Sequence, residues 1–336
     1  MTKVAGFFIL LLCGLAAADM DALGGQPASY LRMGIGNRAE AMGNAHTAFL
    51  APTTVAAYWN PAMAVMTDSR FLMSGGYRFL SLGRRQGYVS LNGKIPPRLA
   101  LCAALLYHGD NSIPIYDNDG FKTYDGYFMS LATHIGLAYK VRRRLALGFN
   151  TTIHNNSVVA GTGEKESISS WELGNLDLSA FYQVNTDLAL GLNIKQIQGL
   201  IKWEVPTSGT ELNTVITHHV PLEFKTGAAW SHLIKGRVFR AAADADLYLV
   251  PMETESLSFY QRFRQGEQTV EFHIGAEYFL YPEFPLRAGY SADGFSFGTG
   301  FYFLQGSLAH SKIDYAFTLE PNGSGTTHGL SWTTDW

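Results

Sequence analysis

The chain has 336 residues and a formal net charge of −3, with 16% charged and 13% aromatic residues. A soluble domain usually carries about a quarter charged residues, so this surface meets water over less of its area than usual. The charge is too weak to suggest nucleic acid or an acidic membrane surface as the partner, and the apolar content does not fit a disordered chain.

Residues 1–18 read as a secretory signal: Lys3 is the basic start, Val4 to Leu15 the apolar stretch, and Ala16-Ala17-Ala18 the cleavage site before Asp19. Cleavage there removes Cys13 and leaves Cys102 alone, so no intramolecular disulfide is expected. Beyond this segment no uninterrupted apolar run is long enough for a spanning helix.

Residues 19–69 show no strand alternation and are rich in Ala, Gly and Met. They contain Gly34-Ile35-Gly36-Asn37-Arg38-Ala39-Glu40-Ala41-Met42-Gly43-Asn44-Ala45 and Tyr58-Trp59-Asn60-Pro61-Ala62. Pro61 fixes its own φ and biases Asn60 away from helix, giving a rigid turn whose amide side chain can bond nearby backbone.

From residue 70 onward the chain breaks into about fourteen segments of roughly ten residues, the length a strand needs to cross a bilayer. The predicted strands are Phe71–Phe79, Gly87–Ile95, Leu99–His108, Tyr127–Tyr139, Arg144–His154, Trp171–Val184, Asp187–Lys195, Leu222–Ser231, Phe239–Leu249, Val270–Leu280, Leu286–Ser291, Phe295–Phe303, Leu308–Leu319 and His328–Trp336. Alternation is clearest in Leu145, Leu147, Phe149 against Ala146, Gly148, Asn150, and in Leu188, Leu190, Leu192, Ile194 against Ala189, Gly191, Asn193, Lys195. Period two marks a strand with two unlike faces.

The connections alternate short and long. Pro96-Pro97, Lys140–Arg143, Asn185-Thr186, Leu233–Gly236, Pro282–Phe284 and Leu304–Gly306 are short, whereas Gly109–Asp125, Asn155–Ser170, Gly199–Val220 and Pro251–Gln268 are long loops. In an up-and-down arrangement every long connection then falls on one side, as in outer-membrane barrels. The expected fold is all-β, an antiparallel transmembrane barrel with an apolar exterior and an N-terminal hatch in its lumen. Its domains would be a signal peptide (1–18), a hatch (19–69) and a barrel (70–336) in the bacterial outer membrane. A soluble sandwich would instead have shorter strands and no one-sided loop bias. Tyr77, Tyr107, Tyr139, Tyr248, Tyr278 and Trp230 fall near strand ends, where an aromatic girdle is expected.

The Gly34–Ala45 run followed by Trp59–Ala62 resembles the N-terminus of PorV/PorQ-type outer-membrane proteins, which are similar to the FadL long-chain fatty acid transporters. The resemblance implies a fourteen-stranded barrel whose hatch carries Gly34, Arg38, Met42, Gly43, Trp59, Asn60, Pro61 and Ala62. It implies passage of a hydrophobic small molecule or, on the PorV side, a secretion-system component that holds a cargo protein or translocon. Apart from these and outer-membrane lipid, no partner is expected.

Apparent catalytic motifs lack their structural context. Gly294-Phe295-Ser296-Phe297-Gly298 matches a nucleophile elbow, but strand alternation continues through it, making Ser296 a small inward residue. The Gly34-Ile35-Gly36 run has no preceding strand to make a dinucleotide site. The ten histidines form no recognisable metal set, so neither enzyme activity nor cofactor is expected. Arg240, Asp244, Asp246, Glu271, His273 and Glu277 lie on the inward face of neighbouring strands and form a candidate lumenal polar network. Ile113, Pro114, Ile115, Trp203, Val205, Phe259 and Tyr260 in the long loops are candidates for an apolar capture surface.

Overall fold

The computed structural model describes residues 23–49, 55–117, 119–160, 166–206, 213–252, 258–305, 309–321 and 325–336. The expected signal peptide and its cleavage site lie outside them. The strands are β1 (Phe71–Phe79), β2 (Arg85–Ile95), β3 (Leu99–Tyr116), β4 (Lys122–Arg142), β5 (Leu145–Ala160), β6 (Glu166–Gln183), β7 (Leu188–Ile197), β8 (Leu200–Pro206) and β9 (Asn213–His219). They continue as β10 (Leu222–Ile234), β11 (Arg237–Val250), β12 (Glu267–Tyr281), β13 (Phe284–Ser291), β14 (Gly294–Gln305), β15 (Ala309–Leu319) and β16 (Thr326–Asp335).

All sixteen belong to one sheet, but β8 and β9 stand off as a hairpin whose ladder pairing with β6 is at Ser169 and Glu204. The other fourteen pair antiparallel in sequence order, β7 passing directly to β10, and β1 closes on β16. Closure leaves the wall without a free edge, a requirement where no water is available to bond backbone groups. Trp336 adds the last link through its backbone to Phe71.

Burial follows the parity read from the sequence. Leu101, Leu147, Phe149, Leu190 and Phe297 point outward and are exposed, whereas Gln86, His134, Asn150, Thr152, Asn193 and Asp246 point inward and are buried. An apolar exterior around a polar interior is the reverse of a water-soluble sandwich, and it fits a hydrocarbon surround. The barrel is therefore built for the outer membrane. Girdle positions such as Tyr77 and Tyr139 are exposed, but Tyr248 is buried and faces the lumen, because on β11 it shares parity with Asp244 and Asp246.

Two expected long loops are mostly strand. β3 and β4 pair up to Tyr116–Lys122, and β5 and β6 up to Ala160–Glu166, far beyond the ten-residue core. Ladder bonds satisfy backbone groups above the membrane as well as within it. The sequence concealed this because extra residues flip the parity: the β3–β4 register shifts between Asp110 and Ile113, and that of β5–β6 between Thr152 and Ile153. The 199–220 connection holds the β8–β9 hairpin, and 251–268 holds a short helix, Phe259–Gln265, opened by a Ser258–Gln261 capping box. The barrel thus has a tall rim at β3–β6 and a low rim at β1–β2 and β13–β16.

Candidate functional site

Residues 23–49 and 55–66 lie inside the barrel as single-turn helices and tight turns, among them Ser29–Met33, Asn37–Glu40, Ala56–Trp59 and Pro61–Val65. The residues singled out in the N-terminal motif meet here. Trp59 is 1% exposed and its indole N–H donates to the Ile35 carbonyl at 2.9 Å. Gly34 makes room for that ring, since a Cβ there would come 2.9 Å from it, and its φ of 71° suits glycine. Asn60 caps the Pro61–Val65 turn: its Oδ1 accepts from the Ala62 amide at 3.0 Å, and its Nδ2 donates to the Thr47 carbonyl at 2.9 Å and the wall carbonyl of Ala180 at 3.1 Å. Pro61 occupies the first helical position, where its missing N–H costs nothing. A Cβ on the wall residue Gly148 would overlap the Ala62 nitrogen, so this turn rests directly on the wall backbone.

The earlier half of the segment is fastened by charge. The Arg38 guanidinium donates to both oxygens of Glu277, at 2.7 and 3.0 Å. Glu277 is fully buried and also receives Arg240 at 2.8 Å and Arg287 at 2.7 Å, while Arg287 reaches Asp314 at 2.7 Å. Glu40 pairs with Arg78 at 3.0 Å. Asp244 accepts the backbone amides of His46 and Thr47 at 2.8 and 2.7 Å. Gly43, at φ +61°, presses against the wall between β12 and β13, donates its N–H to Ser296 Oγ at 3.1 Å and lies 3.0 Å, carbonyl to Nδ1, from His273. Ser296 is an inward wall residue, as its parity required. Met42 packs with Ala45, Ala48 and Phe49 against Ala229 and Ala242.

The inward charges foreseen from alternation fall into two groups. Arg240 and Glu277 belong to the periplasmic-side cluster. Asp246 and His273, 3.0 Å apart, belong to an upper cluster that also holds Lys225, paired with Asp246 and with Glu223 at 2.9 Å. Asp244 serves the segment's backbone, and Glu271 lies opposite Asp246 on the ladder. Alternation on β10 and β13 would have yielded Glu223, Lys225 and Arg287, which the reading passed over. Lys195 already fell on the inward face of its strand by alternation, whereas Arg78 and Glu40 were not singled out.

Above the segment lies a chamber of about 670 Å³. Tyr30 and Met33 contribute to its floor, Phe128, Val158, Ile201 and Trp203 to its tall side, and Asp293 and Glu320 to its low rim. The tall side adds apolar residues to the inner face. Phe128 and Val158 lie there by the parity of β4 and β5, and Ile113, Ile115 and Ile168 are turned there by the register shifts, with Tyr124 opposite Ile115. The outer face there is mixed, carrying Asp125, Asn155, Ser157 and Ser169 beside Tyr127, Val159 and Trp171. Of the expected capture residues, Ile113, Ile115 and Trp203 belong to this inner side, Pro114 and Tyr260 are exposed, and the side chain of Phe259 lies outside the described residues.

A second cavity, of about 560 Å³, sits in the wall where the β6–β7 ladder ends at Leu176–Ile197 and before β6 meets β8 at Ser169–Glu204. Leu173, Leu176, Ile197 and Leu200 line its apolar part, and the Glu172–Lys202 pair, 3.6 Å apart, lines its outer edge. Among the described residues no group of three or more His, Cys, Asp or Glu is placed to hold a metal ion.

No protein-family model and no curated protein matches the sequence. Solved structures do match. The toluene transporter TbuX of Ralstonia pickettii superposes with a TM-score of 0.61 at 16% identity, over 90% of this chain and 97% of that one. The toluene transporter TodX of Pseudomonas putida gives 0.58 at 13% identity, over 90% and 97%. A FadL homologue of Pseudomonas aeruginosa gives 0.54 at 13% identity, over 88% and 96%. The chain has the closed fourteen-strand barrel fold of FadL-type outer-membrane channels.

Proposed function

We propose that this barrel carries compact hydrophobic molecules across the outer membrane without chemical change. The observation that supports this best is the apolar lining of the tall rim: Phe128, Val158 and Ile168, with Ile113 and Ile115, face inward above the segment and give a bowl that opens to the medium. A molecule leaving water for such a surface gains roughly 25 cal/mol per Å² of apolar area buried. The likeness to the toluene transporters supports the same reading. Residues 19–69 act as a hatch under the bowl, and the wall cavity at Leu173 and Leu176 offers a second way out, sideways at the level of the outer leaflet.

The resemblance to PorV-type proteins would instead make the rim a holding surface for a cargo protein. The concave shape of the apolar face favours a small molecule over a protein-sized partner.

Uptake of radiolabelled toluene into proteoliposomes carrying the mature chain tests the proposal. An initial rate of uptake several-fold above that of empty liposomes is expected, and a rate equal to theirs overturns it. Leu176→Trp, which fills the wall cavity, should slow uptake if exit is sideways and leave it unchanged if exit is past the hatch.

A further inference from the structure

The wall of the bowl has a polar row directly beneath its apolar one. His108 on β3, Ser130 on β4, Asn156 on β5 and Ser170 on β6 are successive ladder partners, all on the inner face. Two residues further out, Phe128, Val158 and Ile168 form the apolar row. His108, Asn156 and Ser170 are 5%, 3% and 4% exposed, yet the His108 Nδ1, the Asn156 amide nitrogen and the Ser170 hydroxyl have no hydrogen-bond partner among the described residues. Buried polar atoms are normally paired, and leaving one unpaired is costly. Both His108 and Asn156 line the chamber. The His108 ring also lies parallel to Tyr30, centroids 6.0 Å apart at 7°, and 5.4 Å from Phe128.

We propose that the chamber selects a single aromatic ring bearing a hydroxyl group, a phenol-like compound, over a bare hydrocarbon. This rests on the transport reading and narrows it. The ring extends the Tyr30–His108–Phe128 aromatic face by offset or edge-on contact. A hydroxyl both donates and accepts, so it pairs either with the Asn156 amide as acceptor or with His108 Nδ1 as donor. Adjacent strands are about 4.8 Å apart, which puts His108 and Asn156 two strand spacings apart across Ser130, so the hydroxyl meets one of them at a time while the ring lies on the aromatic face. A plain hydrocarbon fills the same space but leaves those atoms unpaired, and sites built to bond a hydroxyl reject analogues that lack it.

Calorimetric titration of the detergent-solubilised mature chain, corrected with empty micelles, tests this using p-cresol, toluene and 4-methylcyclohexanol. The expected result is p-cresol at least about tenfold tighter than either of the others. Asn156→Leu and His108→Phe should each lower the affinity for p-cresol several-fold more than that for toluene, narrowing the preference; an unaltered ratio in both variants overturns the assignment of the hydroxyl to this row. Equal affinity for p-cresol and toluene in the unaltered chain overturns recognition of the hydroxyl, and equal affinity for p-cresol and 4-methylcyclohexanol overturns recognition of the ring. Toluene uptake in proteoliposomes separates the two levels. If toluene enters faster than into empty liposomes without any p-cresol preference in the titration, only this inference falls; if it enters no faster, the transport reading falls.

Discussion

The two halves of the segment inside the barrel are held by different physics. Residues 34–47 are fixed through ions: Arg38 to Glu277, Glu40 to Arg78, and the backbone of His46 and Thr47 to Asp244. Residues 56–65 contribute no charged side chain and are fixed by close packing, by the Asn60 amide, and by Asn193 donating to the Trp59 carbonyl at 2.7 Å. Wall lysines serve even this half through aromatic faces, Lys195 lying 4.2 Å from the Tyr58 ring and Lys225 5.5 Å from that of Trp59. The difference concerns how each half fails. A packed neutral anchor loses stability in increments, whereas a buried ion pair deprived of one partner leaves an uncompensated charge. The first half is thus a latch of ion pairs and the second a packed mount.

The comparison can be broken at several points. Removal of residues 19–64 should have the largest effect, giving a barrel that still assembles but leaks small sugars in liposome swelling; a deletion as tight as the parent would show that the segment seals nothing. Glu277→Gln comes next. It leaves Arg38, Arg240 and Arg287 converging without their shared carboxylate, at a cost of about 3–5 kcal/mol, and single-channel recordings should show openings absent from the parent. Silent recordings, with residues 34–47 as resistant to protease as before, would mean that packing holds both halves alike.

Leu190→Arg serves as a control on the wall. Leu190 faces outward from β7 and is 41% exposed, so a charge there should cost roughly 2–4 kcal/mol of folding stability in lipid without changing conductance. Unaltered stability in urea titrations from lipid vesicles would count against a lipid-facing position. Asn60→Ala should be smallest, about 1–2 kcal/mol from loss of the cap, lowering the melting temperature without openings. Openings comparable to those of Glu277→Gln would erase the distinction between latch and mount.

Much of this was legible in the chain because a strand repeats every two residues. Wherever that repeat ran unbroken, as in Leu145–Ile153 or Leu188–Ile194, it gave both the element and the side each residue faces. The Asn60-Pro61 turn was legible for a similar reason, since its constraints are local. The upper strands escaped the reading because an extra residue between Asp110 and Ile113, and another near Gly174, reversed the faces. That made a continuing ladder look like irregular loop. Arg240 and Glu277 were found on the proper face, but their partner Arg38 lies 239 positions from Glu277, a distance over which periodicity carries no information.

The sequence by itself determined the class of fold, the strand parity and the outward oil, because these follow from the geometry of one strand at a time. Only the tertiary structure decided that a wall of fourteen closes, which guanidinium meets which carboxylate, and that apolar residues line the inner face of the tall rim. Each of these depends on register between strands and on what the folded-in segment touches, and neither is encoded in the order of neighbouring residues.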